Sequence, residues 1–154
     1  MIGILPQLHI LLNVAMALIL GGIIGSERER SNKPAGARTQ AIVAGAAALI
    51  VSVGAVVDSI NHLGDPTRAM HGVITGIGFL GAGIMSGAGQ FAGRGITTAT
   101  TVFMTAGIGS VVGLGAPITA LGTTLLVLLT LRVGTLINKN IYPKKIDVDD
   151  PELV

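Results

Sequence analysis

Residues 7–38, QLHILLNVAMALILGGIIGSERERSNKPAGAR, decide the fold. Residues 7–25 form a predominantly apolar run, long enough to cross a bilayer core as a helix. A loop carrying Arg28, Arg30, Lys33 and Arg38 follows directly. Working outward, four more runs of similar length fall at about 37–57, 70–87, 96–114 and 117–137. Arg94 lies between the third and fourth, and Arg132, Lys139, Lys144 and Lys145 close or follow the fifth. Between the second and third lies only Arg68. With five spans, nine of the ten cations share one face, which the positive-inside rule makes cytoplasmic. The expectation is an all-α integral membrane protein with five transmembrane helices, N-terminus out and C-terminus in. Residues 1–138 form the membrane domain and 139–154 a short cytoplasmic tail. An even number of spans would place the first and last basic clusters on opposite sides.

The composition agrees. Half of the residues are hydrophobic and 12% are charged; the mean hydropathy is +0.76. These values lie beyond a typical soluble domain. The pI of 9.4 follows from the flanking cations and does not imply nucleic-acid binding: there is one Tyr, no Trp and no basic-aromatic stripe. The absence of cysteine excludes a disulfide, a thiolate nucleophile and a thiolate metal site. The first run lacks a basic leader and a cleavage site, and reads as a span rather than a removed signal.

Small residues recur at helical spacing. The first span carries Asn13, Ala17, Gly21 and Gly25, and the second Ala41, Gly45, Ala48, Ser52 and Ala55. The third carries Gly72, Gly76, Phe79, Gly83 and Gly87, and the fourth Thr97, Thr101, Thr105, Gly109 and Gly113. Such stripes let helix backbones approach closely where lipid supplies no hydrophobic drive. Gly21, Gly25, Gly72, Gly76 and Gly83 are therefore expected to be packing positions. The threonine stripe has a second reading, as the lining of a wet cavity. The fifth span, with its LLVLLTL run, is expected at the lipid-facing periphery, with Arg132 snorkelling to the interface.

Polar segments carry the remaining chemistry. Glu27, Arg28, Arg38 and Thr39 flank the first loop at membrane depth, where an ionisable group needs a partner. A Glu27–Arg38 or Glu27–Arg94 pair is expected. Glu29, Arg30 and Lys33 read as solvated loop. Arg94, Thr97, Thr98 and Thr101 lie at the same level. A helix break near residues 87–95, with a helix starting at Thr97, would aim free N–H groups there. The cluster is then either a salt-bridge lock on the helix ends or a site holding an anion or water. On the outer side, Asp65-Pro66 reads as a cap and first helical residue, with Arg68 beside it. His62 and His71 have no companions at ligand spacing, so no metal site is expected. The Gly76, Gly78, Gly81 match to a dinucleotide fingerprint follows no strand and carries no weight.

Residues 21–49, GGIIGSERERSNKPAGARTQAIVAGAAAL, resemble the signature of the MgtC/SapB family of bacterial membrane proteins. Residues 65–85, DPTRAMHGVITGIGFLGAGIM, and 94–115, RGITTATTVFMTAGIGSVVGLG, are similar to the rest of that family's membrane domain. The resemblance implies five helices in the bacterial inner membrane, a cytoplasmic C-terminus, and shared polar positions that include Glu27, Arg28, Arg38, Thr39, Asp65, Arg68, Arg94, Thr97, Thr98 and Thr101. It also implies a role in adaptation to stress such as magnesium limitation, in a family associated with virulence. The family's best-known member carries a soluble C-terminal domain, whereas this chain resembles the short, membrane-only form.

Three functional classes follow. The first is a non-enzymatic protein acting with other membrane proteins. The second is a small ion or solute transporter or channel, which five helices would build as a homo-oligomer; glycine-interrupted helices commonly mark solute sites. The third, an enzyme, has no recognisable nucleophile set, carboxylate dyad or metal cluster behind it. No cofactor and no nucleic-acid partner are expected. The number of small-residue stripes exceeds what five helices need among themselves, so a homodimer is expected.

Overall fold

The computed structural model describes residues 2–61, 65–86 and 92–141; the side chains of 61, 92–94 and 137–141 lie outside that description. The apolar runs become five helices: α1 Ile4–Arg30, α2 Ala37–Asn61, α3 Pro66–Ser86, α4 Ala92–Gly113 and α5 Pro117–Ile141. Each is long and apolar enough to span a bilayer. The chain is thus an all-α, multi-pass membrane protein. The tail from 142 onward lies outside the described residues.

Local chemistry sets the boundaries. α1 ends in a Schellman motif: the Asn32 N–H donates to the Glu29 carbonyl and the Lys33 N–H to that of Arg28, both at 3.0 Å. This requires a left-handed residue, and Asn32 takes it with φ 50°. α4 ends in the same way. Gly115 has φ 78°, and the amides of Gly115 and Ala116 bond the Val112 and Val111 carbonyls. Pro117, which needs no N–H partner, then opens α5. At the start of α3, Asp65 Oδ1 accepts from the Thr67 N–H at 2.8 Å. The Thr67 hydroxyl also donates to it, holding the Asp65 carboxyl below the usual carboxylate range. One boundary differs from expectation. α4 begins at Ala92, not Thr97, so Thr97 and Thr98 sit in the second turn, where backbone amides are already spent on the helical ladder.

Successive helices run up and down. α1, α2 and α4 form the centre, α3 packs against α2 and α4, and α5 against α4 and α1. Over half of α4's apolar window is buried (56%), against 11% for α3 and for α5. α4 is therefore the axis of the bundle and α3 and α5 its lipid-facing flanks. Glycine makes the central contacts possible. A Cβ on Gly21 would strike the Gln40 carbonyl, one on Gly25 the Ala37 backbone, and one on Gly109 the Ala44 carbonyl. The core around these contacts is Ala17, Leu20, Ile24, Ala44, Ala48, Ile108 and Val112, with a second cluster of Ala47, Val51, Val73, Ile77, Val102 and Ala106. Toward the other end, Asn13 Nδ2 donates to Ser52 Oγ at 3.1 Å. Ser52 Oγ donates in turn to the Gly113 carbonyl at 3.3 Å, tying α1, α2 and α4 together.

Candidate functional site

The ends of α1, α3 and α5 and the starts of α2 and α4 share one end of the bundle, which carries the basic loop. There Arg28, the third-last residue of α1, turns inward and is buried. Its Nη2 donates to Thr98 Oγ1 at 2.6 Å and to the Pro34 carbonyl at 3.5 Å. The guanidinium thereby ties α1 to α4 and to the loop that leads into α2. Its Nε is buried with no hydrogen-bond partner among the described residues.

The two neighbouring carboxylates go elsewhere. Glu27 Oε2 lies 3.7 Å from Arg132 Nε of α5, the single ion pair among the described residues. Arg38, the expected partner, is exposed on α2 instead. The reason is helical phase: Gln40, not Arg38, occupies the inward face of α2's first turns. Glu29 Oε2 accepts from the Ala37 N–H at 3.2 Å, so a carboxylate on α1 caps α2 from across the loop. Charge placement at this end is thus interhelical: each acid on α1 ties that helix to a different neighbour.

The remaining expected residues divide. Thr98 and Thr101 are buried; Thr39 and Thr97 are exposed. The Thr97 carbonyl accepts from the hydroxyls of Thr100 at 3.0 Å and Thr101 at 2.7 Å. Arg94 lies in the first turn of α4, but its side chain, and with it the Glu27–Arg94 pair, falls outside the described residues. Arg68, on the other end, is exposed beside the Asp65 cap.

Two further residues belong to this region: Thr105, named in the stripe of the fourth span, and Gln40, which sequence reading passed over. Gln40 and Thr105 are both fully buried. Gln40 Nε2 and Oε1, and Thr105 Oγ1, have no hydrogen-bond partner among the described residues. The signal for Gln40 was present: an amide one turn inside an apolar span, four residues before Ala44 on the inward face.

The packing glycines also divide. Gly21 and Gly25 are in tight backbone contact, but a Cβ at Gly72, Gly76 or Gly83 would meet nothing within 4 Å. These three, expected as packing positions, make no close contact among the described residues. Val73 and Ile77 face the core, and at 3.6 residues per turn Gly72, Gly76 and Gly83 fall roughly 80–120° to one side of them, with Phe79 further round. Phe79 is 81% exposed there. On the other side of the core-facing strip an open groove of about 520 Å³ runs between α3 and α4, lined by Gly78, Gly81, Ala82, Ala99 and Phe103.

Comparison with known proteins adds the family. The sequence profile described as the MgtC family matches residues 14–140. The chain is 37% identical over 144 residues to a Haemophilus influenzae protein named as uncharacterized, covering 90% of this chain and 60% of that one. It is 40% identical over 119 residues to the protein MgtC of Salmonella typhimurium, covering 77% of this chain and 49% of MgtC. It is 36% identical over 143 residues to the protein SrpB of Synechococcus elongatus, covering 82% of this chain and 77% of SrpB. No solved structure matches. The chain thus spans between about half and three fifths of the first two of these relatives. The profile covers most of the chain, including the Arg28–Thr98 tie, Gln40 and the glycine contacts of α1, α2 and α4, and the chain belongs to the MgtC family.

Proposed function

We propose that the chain is a non-enzymatic protein of the bacterial inner membrane that acts by associating with other helices in the bilayer, as a homodimer and with other membrane proteins, in adaptation to stress such as magnesium limitation. The nine-to-one distribution of cations supports an orientation with the N-terminus outside and the basic end in the cytoplasm. The observation that carries the reading is the outward face of α3. A glycine inside a helix costs about 1 kcal/mol relative to alanine. At Gly21, Gly25, Gly109 and Gly113 that cost is offset by close backbone contact; Gly72, Gly76 and Gly83, like Gly107 of α4, have no such contact among the described residues. A glycine-lined face turned to the bilayer, bordered by the exposed Phe79, is a surface on which a further helix packs closely.

The test replaces Gly76 with Leu, which fills the face without touching the chain's own core. Growth of the parent bacterium in low-magnesium medium should fall to that of a deletion strain, with the variant present in the membrane at normal level. Full growth of that variant would sink the reading.

The second reading, a small ion or solute conduit built as a homo-oligomer, is favoured by Gln40 and Thr105, polar groups buried within the span with no partner among the described residues. Purified protein in liposomes separates the two. Flux that depends on Glu27 and Arg38 supports the conduit, and intact liposomes with loss of growth in Gly76→Leu support association.

A further inference from the structure

α2 and α4 run parallel, with Gly109 against the Ala44 carbonyl and Gly113 against that of Ala48. One turn from the Ala44–Gly109 contact, toward the basic end, lie Gln40 on α2 and Thr105 on α4. They therefore face one seam at one level. Gly21 of antiparallel α1 closes it, packed on the Gln40 carbonyl. A helical hydroxyl ordinarily bonds the carbonyl four residues back, as Thr101, Ser110 and Thr124 do here. Thr105 does not, and its buried hydroxyl has no partner among the described residues.

Side-chain direction brings Arg28 into the same stretch. Cα–Cβ bonds tilt toward a helix N-terminus. Gln40 and Thr105 thus lean toward the basic end, while Arg28, on the antiparallel helix, leans into the membrane. Between them lie Thr98 and Thr101, on the same buried side of α4 as Thr105. The seam carries four buried polar atoms without a hydrogen-bond partner among the described residues, Arg28 Nε, Gln40 Nε2, Gln40 Oε1 and Thr105 Oγ1, over a height of about 10 Å, the rise of seven helical residues. In a bilayer no bulk water compensates such atoms. Among the described residues Arg28 also has no carboxylate partner, because Glu27 and Glu29 are engaged with Arg132 and Ala37.

We propose that the α1–α2–α4 seam is a water-binding vestibule, entered past Arg28 from the basic end. Water there bonds Gln40 and Thr105, and the Gly109–Ala44 and Gly21–Gln40 backbone contacts seal its inner end. The uncompensated Arg28 guanidinium makes it selective for small anions over cations. The vestibule does not depend on the association reading and stands or falls separately.

The chain has no cysteine, so single substitutions give a clean probe. Thr105→Cys and Val112→Cys, the latter beyond the Gly109 seal, are exposed in inside-out vesicles to two small methanethiosulfonates, one anionic and one cationic. Thr105→Cys should label and Val112→Cys should not. The anionic reagent should react on the order of a hundredfold faster than the cationic one, because one unit charge ~10 Å away at an effective dielectric near 20 attracts the first and repels the second. Arg28→Gln should remove that preference. Labelling of Thr105→Cys no faster than of Val112→Cys overturns the vestibule, and equal rates for the two reagents overturn the role of Arg28. Should Thr105→Cys fail to fold, Thr105→Val gives a second readout. Loss of bonds to bound water lowers its thermal midpoint, whereas removal of a dry orphan hydroxyl raises it. An unchanged or raised midpoint overturns the proposal.

Discussion

Arg28 Nη2 and Thr98 Oγ1 lie 2.6 Å apart and join the end of α1 to the second turn of α4 across 70 positions of chain. The bond converts a charge that membrane insertion disfavours into a tie between two central helices. Hydrogen bonds to charged groups contribute about 1.5–3 kcal/mol. Thr98→Val should lower stability in detergent by about that amount, and Thr98→Ser, which keeps the acceptor, by much less. Thermal melting of the two variants checks this. A loss in Thr98→Ser as large as the bond predicts, with none in Thr98→Val, would mean that the methyl packing, not the hydroxyl, matters.

The Glu27–Arg132 pair should be worth far less. Arg132 is two-thirds exposed (66%) and the separation is 3.7 Å. Exposed pairs contribute about 0–1 kcal/mol and are screened by salt. Glu27→Gln and Arg132→Gln should each lower stability by under about 1 kcal/mol in low salt. The difference from the parent should shrink as salt is raised. A loss that persists in high salt would place the pair in a more enclosed setting.

Glycine substitutions should split by position. Gly109→Ala drives a Cβ into the Ala44 carbonyl and Gly21→Ala into that of Gln40. Neither backbone can yield without separating helices, so both should destabilise strongly or abolish folding. Gly72→Ala meets open space and gains helix propensity of up to about 1 kcal/mol. Denaturation of the three variants in the same detergent tests the split. Equal losses at Gly72 and Gly109 would contradict the assigned phase of α3.

The cap on α3 should be sensitive to acid. The Thr67 hydroxyl holds the Asp65 carboxyl below its ordinary value of 3.8. A carboxyl depressed in the folded state contributes stability that is present above its unfolded value and lost as pH falls through the folded one. Protonation also removes the charge favoured at a helix N-terminus. Asp65→Asn keeps the cap without the charge and should abolish this part of the acid dependence below about pH 4. Parallel acid titrations of parent and variant, followed by circular dichroism, decide it.

Much of this architecture was legible in the residues. Hydropathy located five helices because a span has a length set by the bilayer, and Asp65-Pro66 marked the start of α3 because a cap and an N-terminal proline have local chemistry. Partnership was harder. Glu27 bonds Arg132 rather than Arg38 because α5 returns beside α1, and no local pattern says which helices become neighbours. The α1 and α3 stripes look alike in sequence, yet Gly21 is pressed against backbone and Gly76 faces open space. Spacing fixes which residues share a face but not which way the face turns. The start of α4 was misplaced for a related reason: Gly93 and Gly95 weaken a helix by propensity, yet the helix already runs from Ala92.

The central claim is that α3 presents an association surface, and oxidative cross-linking tests it most directly. Gly76→Cys on α3 and Leu125→Cys on α5 introduce single thiols on outward faces into a chain that has none. In native membranes treated with a mild oxidant, Gly76→Cys should give a disulfide-linked species at twice the chain mass, and Leu125→Cys should remain monomeric. Cross-linking at Leu125 equal to that at Gly76, or a wholly monomeric Gly76→Cys, would contradict the account.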